Sequence, residues 1–125
     1  MTTHRFSRAA LIAVAFGALV VSAACTAAPT GAPADKFAHV LSDQQLAQLR
    51  QCESGGNYSI TNPSGAYRGA YQFSRQTWNS LAQRHYPHLA GIDPAAAAPA
   101  DQDAMARALW SERGSSPWPH CGKRV

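Results

Sequence analysis

The chain has 125 residues, a formal net charge of +4 and three cysteines. This length leaves room for one domain at most. Loss of an N-terminal leader that carries Arg5 and Arg8 would lower the charge to about +2, too weak to indicate a nucleic-acid-binding protein. The sequence also has no phosphate-binding glycine loop, no internal repeat and no Ser/His/Asp series.

Residues 1–24 have the pattern of a secretory signal peptide. Arg5 and Arg8 make the start basic, residues 9–21 form an apolar run interrupted by one glycine, and small residues follow. The run is too short to span a membrane comfortably. The sequence therefore predicts an exported protein.

Cys25 leaves two alternatives for processing. Residues 21–25 resemble a lipobox, in which the cysteine is lipidated and becomes the first mature residue, although Ser22 stands where Leu is usual. Ordinary cleavage near Ala23 or Ala24 is the other alternative. Lipidation would account for the odd cysteine of an exported chain. The protein is expected to be secreted or in the cell wall, with or without a lipid anchor on the outer face of the membrane.

A flexible tether is predicted at residues 25–40 and a folded domain at residues 41–125. The tether is rich in Ala, Pro, Thr and Gly and lacks periodicity. It would let the domain reach outward from the membrane.

A first helix is predicted from Ser42 to about Glu53. Residues 42–45 have the Ser-x-x-Gln form of a capping box, and Gly55-Gly56 is a strong stop signal. Glu53 then lies in the last turn, where the helix dipole and nearby aromatic rings would raise its pKa. A raised pKa suits a general acid, but an ordinary exposed glutamate fits the same local pattern.

Residues 59–73 show no helical period and contain one proline and two glycines, so we expect a loop with short hairpin-like pieces. Tyr58, Tyr67 and Tyr71 lie in or beside this loop. Tyrosine rings offer flat apolar faces that suit a sugar, but rings at these spacings also pack in protein cores.

Two further helices are predicted, from Ser74 to Tyr86 and from Asp101 to Gly114. Asp93-Pro94 opens the connection between them, and residues 115–125 are predicted to form a tail. The residues predicted to lie along one stripe are Trp78, Leu81, Ala82 and His85 in one helix, and Met105, Ala108, Leu109 and Glu112 in the other.

His85 and His88 are three residues apart, which raises the question of a metal site. Pro87 breaks the helical register between them, and no acidic or thiolate partner lies near in the sequence. We expect surface or packing histidines, with no metal and no cofactor.

Four segments follow one another in a distinctive order: Cys52–Asn57, Asn62–Phe73, Ser74–Trp78 and Pro117–Cys121. The series resembles the transglycosylase-like domain of resuscitation-promoting factors, secreted peptidoglycan-cleaving proteins of high-GC Gram-positive bacteria. The resemblance runs from about Leu41 to Cys121. It implies an α+β, mostly α, small lysozyme-like domain of about three helices with a short hairpin-like region, and it favours Glu53 as the catalytic acid.

Cys52 and Cys121 are expected to form one disulfide, because export places them in an oxidising compartment. The bridge would close a loop of about 70 residues, which is worth about 4 kcal/mol in the chain-entropy picture. It would also tie the residue before Glu53 to the C-terminal part of the chain.

Glycosidases usually employ two carboxylates, and Glu53 is the one that lies in the motifs. A lytic transglycosylase needs only one, because a hydroxyl of its own substrate is the nucleophile. The Gly-Leu-Met-Gln motif of lytic transglycosylases is similar to Gly69-Ala70-Tyr71-Gln72, with Ala and Tyr in place of Leu and Met. This likeness implies that Gln72, Tyr71 and Tyr67 bind substrate, and a purely structural hydrogen-bonding role for Gln72 stays open.

The resemblance thus implies a monomeric lytic transglycosylase that cleaves peptidoglycan between N-acetylmuramic acid and N-acetylglucosamine, in wall remodelling or resuscitation, alone or with other wall hydrolases. A muramidase that uses water, with Asp93 or Glu112 as second carboxylate, stays open. So does a wall-binding or growth-signalling module with little turnover. Nucleic acid is not an expected partner, and a membrane is one only through Cys25.

Overall fold

Three α-helices frame the part of the chain that this computed structural model describes, residues 34–125. They are α1 (Asp43–Ser54), α2 (Arg75–His85) and α3 (Pro99–Arg113), with short 3-10 helices at Pro87–Leu89 and Cys121–Arg124. No helix within residues 34–125 is long and apolar enough to cross a membrane. The small, mostly helical, lysozyme-like domain predicted from the sequence is confirmed.

The predicted signal peptide, the lipidation of Cys25 and the tether up to residue 33 lie outside the described residues. Residues 34–40 were assigned to the tether, but they lie against the domain. Asp35 accepts a hydrogen bond from the Tyr86 hydroxyl at 3.1 Å and forms an ion pair with Arg107 at 2.8 Å. The Phe37 ring packs edge-on against His85. The packed region therefore begins several residues before Leu41.

The predicted cap signals of α1 and α2 are confirmed. Ser42 accepts a hydrogen bond from the Gln45 backbone, and the Gln45 side chain accepts one from the Ser42 backbone. Gly55 ends α1 in the left-handed conformation, with φ of 67°. Ser74 caps α2 through the Thr77 backbone. Local chemistry alone thus sets where these helices begin and where α1 ends.

The third helix begins two residues before the predicted Asp101. Pro99 occupies its first position, where a proline loses no hydrogen bond and its fixed φ suits the helix. The predicted residues Met105, Ala108 and Leu109 are buried, as are Ala104, Ala106 and Arg107, which the predicted stripe omitted. The middle of α3, residues 104–109, is therefore buried on all sides and is central to the domain.

Gln102 of α3 joins three loops from inside the protein. Its side chain is only 1% exposed. The amide oxygen accepts a hydrogen bond from the Ala70 backbone, and the amide nitrogen donates to the carbonyls of Tyr58 and Ala97. Sequence reasoning missed this residue because a glutamine carries no apolar signal.

Residues 60–73 form a short antiparallel, hairpin-like unit without a regular strand, as expected. Arg68 and Phe73 exchange two backbone hydrogen bonds of 2.9 Å and close the four-residue loop between them. Thr61 pairs with Arg68 on its other side. This unit presents Tyr67 and Gln72 near the end of α1.

The C-terminal residues are not a tail, contrary to the prediction. Trp118 is buried, stacks on Trp110 and donates a hydrogen bond from its indole to the Tyr71 carbonyl. The predicted Cys52–Cys121 disulfide is present, with the Cα atoms 5.7 Å apart. Residues 115–121 are thereby held against the end of α1.

We expect Gly69→Ala to lower the free energy of unfolding by about 3 kcal/mol, because backbone strain and a steric clash both raise the energy of the folded state. Gly69 has φ of 77°, and an added Cβ would lie 2.5 Å from the Gln102 amide oxygen. Gly91→Ala is the matched control, since Gly91 has φ of 82° but nothing within 4 Å. It should cost about 1 kcal/mol. Urea denaturation measures the free energy of unfolding of both variants. An equal loss in the two would contradict the role of Gln102 as the side chain that packs against Gly69.

Candidate active site

Glu53 lies in the last turn of α1, as predicted, and is partly buried. It borders a cleft of about 280 Å³. The other lining residues come from the hairpin-like unit and from the C-terminal segment, and they are Tyr67, Gln72, Pro117, Trp118, Pro119 and His120. The cleft is thus made of three chain segments that are far apart in the sequence.

The disulfide joins two walls of this cleft. Cys52 precedes Glu53, and Cys121 follows His120, so the bond between the cysteines brings the carboxylate and the imidazole to the same place. His120 lies within the Pro-Trp-Pro-His-Cys segment, but it was not assigned to the site from the sequence. Its position next to a disulfide-bonded cysteine was the available signal.

Burial raises the pKa of the Glu53 carboxyl above its ordinary value, and the electrostatic interaction with His120 opposes the shift. Desolvation disfavours the anion because the carboxylate loses hydrating water on the cleft floor. Glu53 therefore holds its proton to a higher pH than an exposed glutamate does, which is the property of a general acid.

Gln72 reaches the cleft through an unusual backbone conformation. Its φ is +54°, and it is the one non-glycine residue with positive φ among the described residues. The four-residue loop from Gly69 requires this conformation at its last position. The Gln72 amide nitrogen donates to the Gly69 carbonyl, which fixes the side chain at the edge of the cleft.

The three tyrosines of the loop differ in their environments. Tyr67 is 51% exposed and lines the cleft, as expected of a residue that contacts substrate. Tyr71 is fully buried and does not line the cleft that contains Glu53, so its contact with substrate stays a prediction. Tyr58 is half-buried and packs against the core.

The hydroxyls of Tyr58 and Tyr71 both point toward Asp103 of α3. Its carboxylate accepts hydrogen bonds from the hydroxyls of Tyr71 at 2.6 Å and Tyr58 at 2.8 Å. Burial and this carboxylate raise the pKa of Tyr71, so its hydroxyl stays a donor. Asp103 lies near the start of α3, where an acid suits the helix dipole, and it also anchors the loop to α3.

The remaining candidate carboxylates are engaged elsewhere. Asp93 binds Arg68 at 2.6 Å and Arg75 at 2.9 Å. Glu112 binds Arg84 at 2.8 Å and His85 at 2.6 Å. Neither Asp93 nor Glu112 lines the cleft that contains Glu53.

The two histidines considered for metal binding have other neighbours. His85 contacts Glu112, and the exposed His88 ring lies edge-on to Tyr86. Within residues 34–125 no three potential ligand side chains are grouped in a way that could hold a metal ion.

Comparison with known proteins indicates the family of the chain. A family model described as transglycosylase-like domain matches residues 40–121. Curated relatives named probable transglycosylase SceD, from Staphylococcus aureus strains MRSA252 and Newman, are 39% and 38% identical to the chain over 93 residues. The alignments cover 74% of this chain and 39% of each relative, so the chain spans about two fifths of their length.

Tyr71→Phe should destabilise the domain by about 1 to 2 kcal/mol, because it removes a buried hydrogen bond and leaves Asp103 short of a donor. Tyr67→Phe is the matched change at an exposed ring and should stay within about 0.5 kcal/mol of the wild type. Thermal unfolding followed by circular dichroism compares them. Equal melting temperatures for the two variants would contradict the assignment of Tyr71 to the core.

Glu53→Gln should stabilise the protein near neutral pH. The folded pKa of Glu53 is raised, so its carboxyl does not reduce the free energy of unfolding below the unfolded pKa of about 4.3. As pH rises from there through the folded pKa, the carboxyl ionises at a cost and the free energy of unfolding falls. The variant, which cannot ionise, should therefore melt above the wild type at pH 7 and at the same temperature as the wild type near pH 4.

Glu112→Gln provides a control with the opposite sign. The hydrogen bond from Arg84 lowers the pKa of Glu112, so its ionised form stabilises the fold above the unfolded pKa. This variant should melt slightly below the wild type at pH 7. A lower melting temperature for Glu53→Gln as well would refute the desolvation of Glu53.

Proposed function

The chain belongs to the transglycosylase-like domain family, and on that basis we propose that it cleaves the glycan strands of bacterial peptidoglycan as a lytic transglycosylase. Glu53 acts as the acid and then as the base. The observation that carries this proposal is the cleft around Glu53, in which one partly buried carboxyl with a raised pKa has no second carboxylate among the described lining residues.

A single carboxyl is sufficient for this reaction. Glu53 donates its proton to the oxygen that links N-acetylmuramic acid to N-acetylglucosamine, and the bond from that oxygen to the anomeric carbon breaks. The 6-hydroxyl of the muramic acid then bonds to the same carbon and gives its proton to the Glu53 carboxylate. The proton returns to its starting place, and no water is consumed.

The surroundings of Glu53 suit both halves of this cycle. Burial favours the protonated acid, which is needed first, whereas the interaction with His120 favours the carboxylate, which is needed second. A carboxyl between these two influences can change its protonation state twice in one turnover.

Tyr67 and Gln72 are the proposed substrate contacts. Tyr67 offers an exposed ring face to a sugar. The amide nitrogen of Gln72 donates to the Gly69 carbonyl. Its amide oxygen can accept a hydrogen bond from a hydroxyl or an N-acetyl group of the strand. Tyr71 acts indirectly, because it holds the loop that carries Gln72.

The muramidase alternative has less support. It needs a second carboxylate to activate water opposite Glu53. The two residues considered for that role, Asp93 and Glu112, are each bound to two basic side chains. A growth-signalling or wall-binding module would keep the cleft without needing the raised pKa of Glu53.

The proposed site of action is the cell wall. Export through the predicted signal peptide, and an anchor at Cys25 if that residue is lipidated, would place the domain next to its polymer substrate. Wall remodelling or resuscitation is the biological role that we propose for this activity.

The products released from purified peptidoglycan decide between these functions. We expect mass spectrometry to find 1,6-anhydro sugars, lighter by one water than reducing products. Glu53→Gln should lower their release at least about 100-fold, as loss of a general acid does. Glu112→Gln, the matched change outside the cleft, should retain activity.

Reducing products, lost also in Glu112→Gln, would establish the muramidase instead. Equal release by the wild type and Glu53→Gln would exclude Glu53 as the catalyst. Binding of peptidoglycan without release of products by either protein would favour the wall-binding module.

A further inference from the structure

A second cleft adjoins the one that contains Glu53. Its volume is about 140 Å³, and residues from the hairpin-like unit and the C-terminal segment line both clefts. Its far wall comes from the start of α2, with Ser74 and Thr77, and from the end of α3, with Leu109 and Arg113. A polymer that lies across Glu53 is long enough to place a substituent there.

Arg113 gives this cleft its charge. Among the described residues that line the two clefts, it is the one with a permanent positive charge. Its side chain is exposed, and no described carboxylate lies within ion-pair distance of its guanidinium. The carboxylate of the preceding residue, Glu112, is bound to Arg84 and His85.

Five other described arginines are in a different situation. Each faces a carboxylate of the protein within 4 Å, and they are Arg50, Arg68, Arg75, Arg84 and Arg107. These side chains therefore hold the fold together. Arg113 has no comparable structural partner, although it is placed at the end of a cleft.

The anionic groups of peptidoglycan identify a partner for such a guanidinium. The N-acetylated sugars of the strand are neutral, and the carboxylates belong to the peptide stems attached to muramic acid. A guanidinium binds a carboxylate through two parallel charge-assisted hydrogen bonds. A stem that leaves the strand beside Glu53 would bring its carboxylates toward the second cleft.

We propose that the second cleft is a binding subsite for the peptide stem and that Arg113 binds a stem carboxylate. The inference rests on the proposed function, since it takes peptidoglycan as the ligand. It assigns the domain a preference for stems with free carboxylates over amidated stems and over bare glycan.

Binding to the Glu53→Gln protein tests this inference without any turnover. The probes are a soluble disaccharide-tetrapeptide from peptidoglycan and the same disaccharide without its peptide, titrated by calorimetry. Adding Arg113→Gln should raise the Kd for the stem-bearing probe about tenfold, the typical value of a charge-assisted hydrogen bond. The Kd for the stem-free probe should not change.

Arg124→Gln is the matched control. Arg124 is also exposed and carries the same charge, but it lines neither cleft. This control should leave both Kd values unchanged, which separates a local contact from net charge. A tetrapeptide probe with amidated carboxylates should have the same Kd for the Glu53→Gln protein, which keeps Arg113, as for the protein that also carries Arg113→Gln.

Three results would overturn the inference: an unchanged Kd for the stem-bearing probe in Arg113→Gln, an equal loss for the stem-free probe, or no binding of the stem-bearing probe. These results are distinct from failure of the proposed function. That failure would be seen as absence of products from the wild type, which the binding titration does not require.

Discussion

Burial of the middle of α3 is the constraint on which the rest of the domain depends. A helix buried on all sides must find partners inside the protein for any polar side chain it carries. Gln102 binds three loops, Asp103 binds two tyrosines and Arg107 binds the segment before α1. No buried side-chain nitrogen or oxygen among the described residues lacks a partner. The polar groups of the core thus determine where the loops of the cleft lie.

The burial that raises the pKa of Glu53 suits a general acid but lowers the stability of the fold. Desolvation that keeps the carboxyl protonated also makes its ionised form costly. The surrounding contacts offset that cost through packing of Trp118 against Trp110 and Phe73 and through the disulfide. A cleft that tunes an acid in this way needs rigid walls, because solvent entry would restore the ordinary pKa.

The sequence predicted the features that local chemistry determines. Ser42, Ser74 and Gly55 each act on their nearest neighbours, so the ends they define could be predicted. Tyr67 and Tyr71 could not be told apart, because the direction of each ring depends on the turn that places Gln72 at positive φ. The roles of Trp118 and His120 depend on contacts with residues more than 40 positions away, which no local pattern contains.

The disulfide makes the shape of the cleft depend on the redox state of the chain. One covalent bond connects the helix that carries Glu53 to the segment that carries His120, and hydrogen bonds and packing provide the other restraints on that segment. Reduction would release one wall from the other while the buried face of α3 stayed in place. A chain with free thiols could therefore keep its helices yet lack an assembled site. Oxidation would then be the step that assembles the cleft around Glu53 on a scaffold that is already folded.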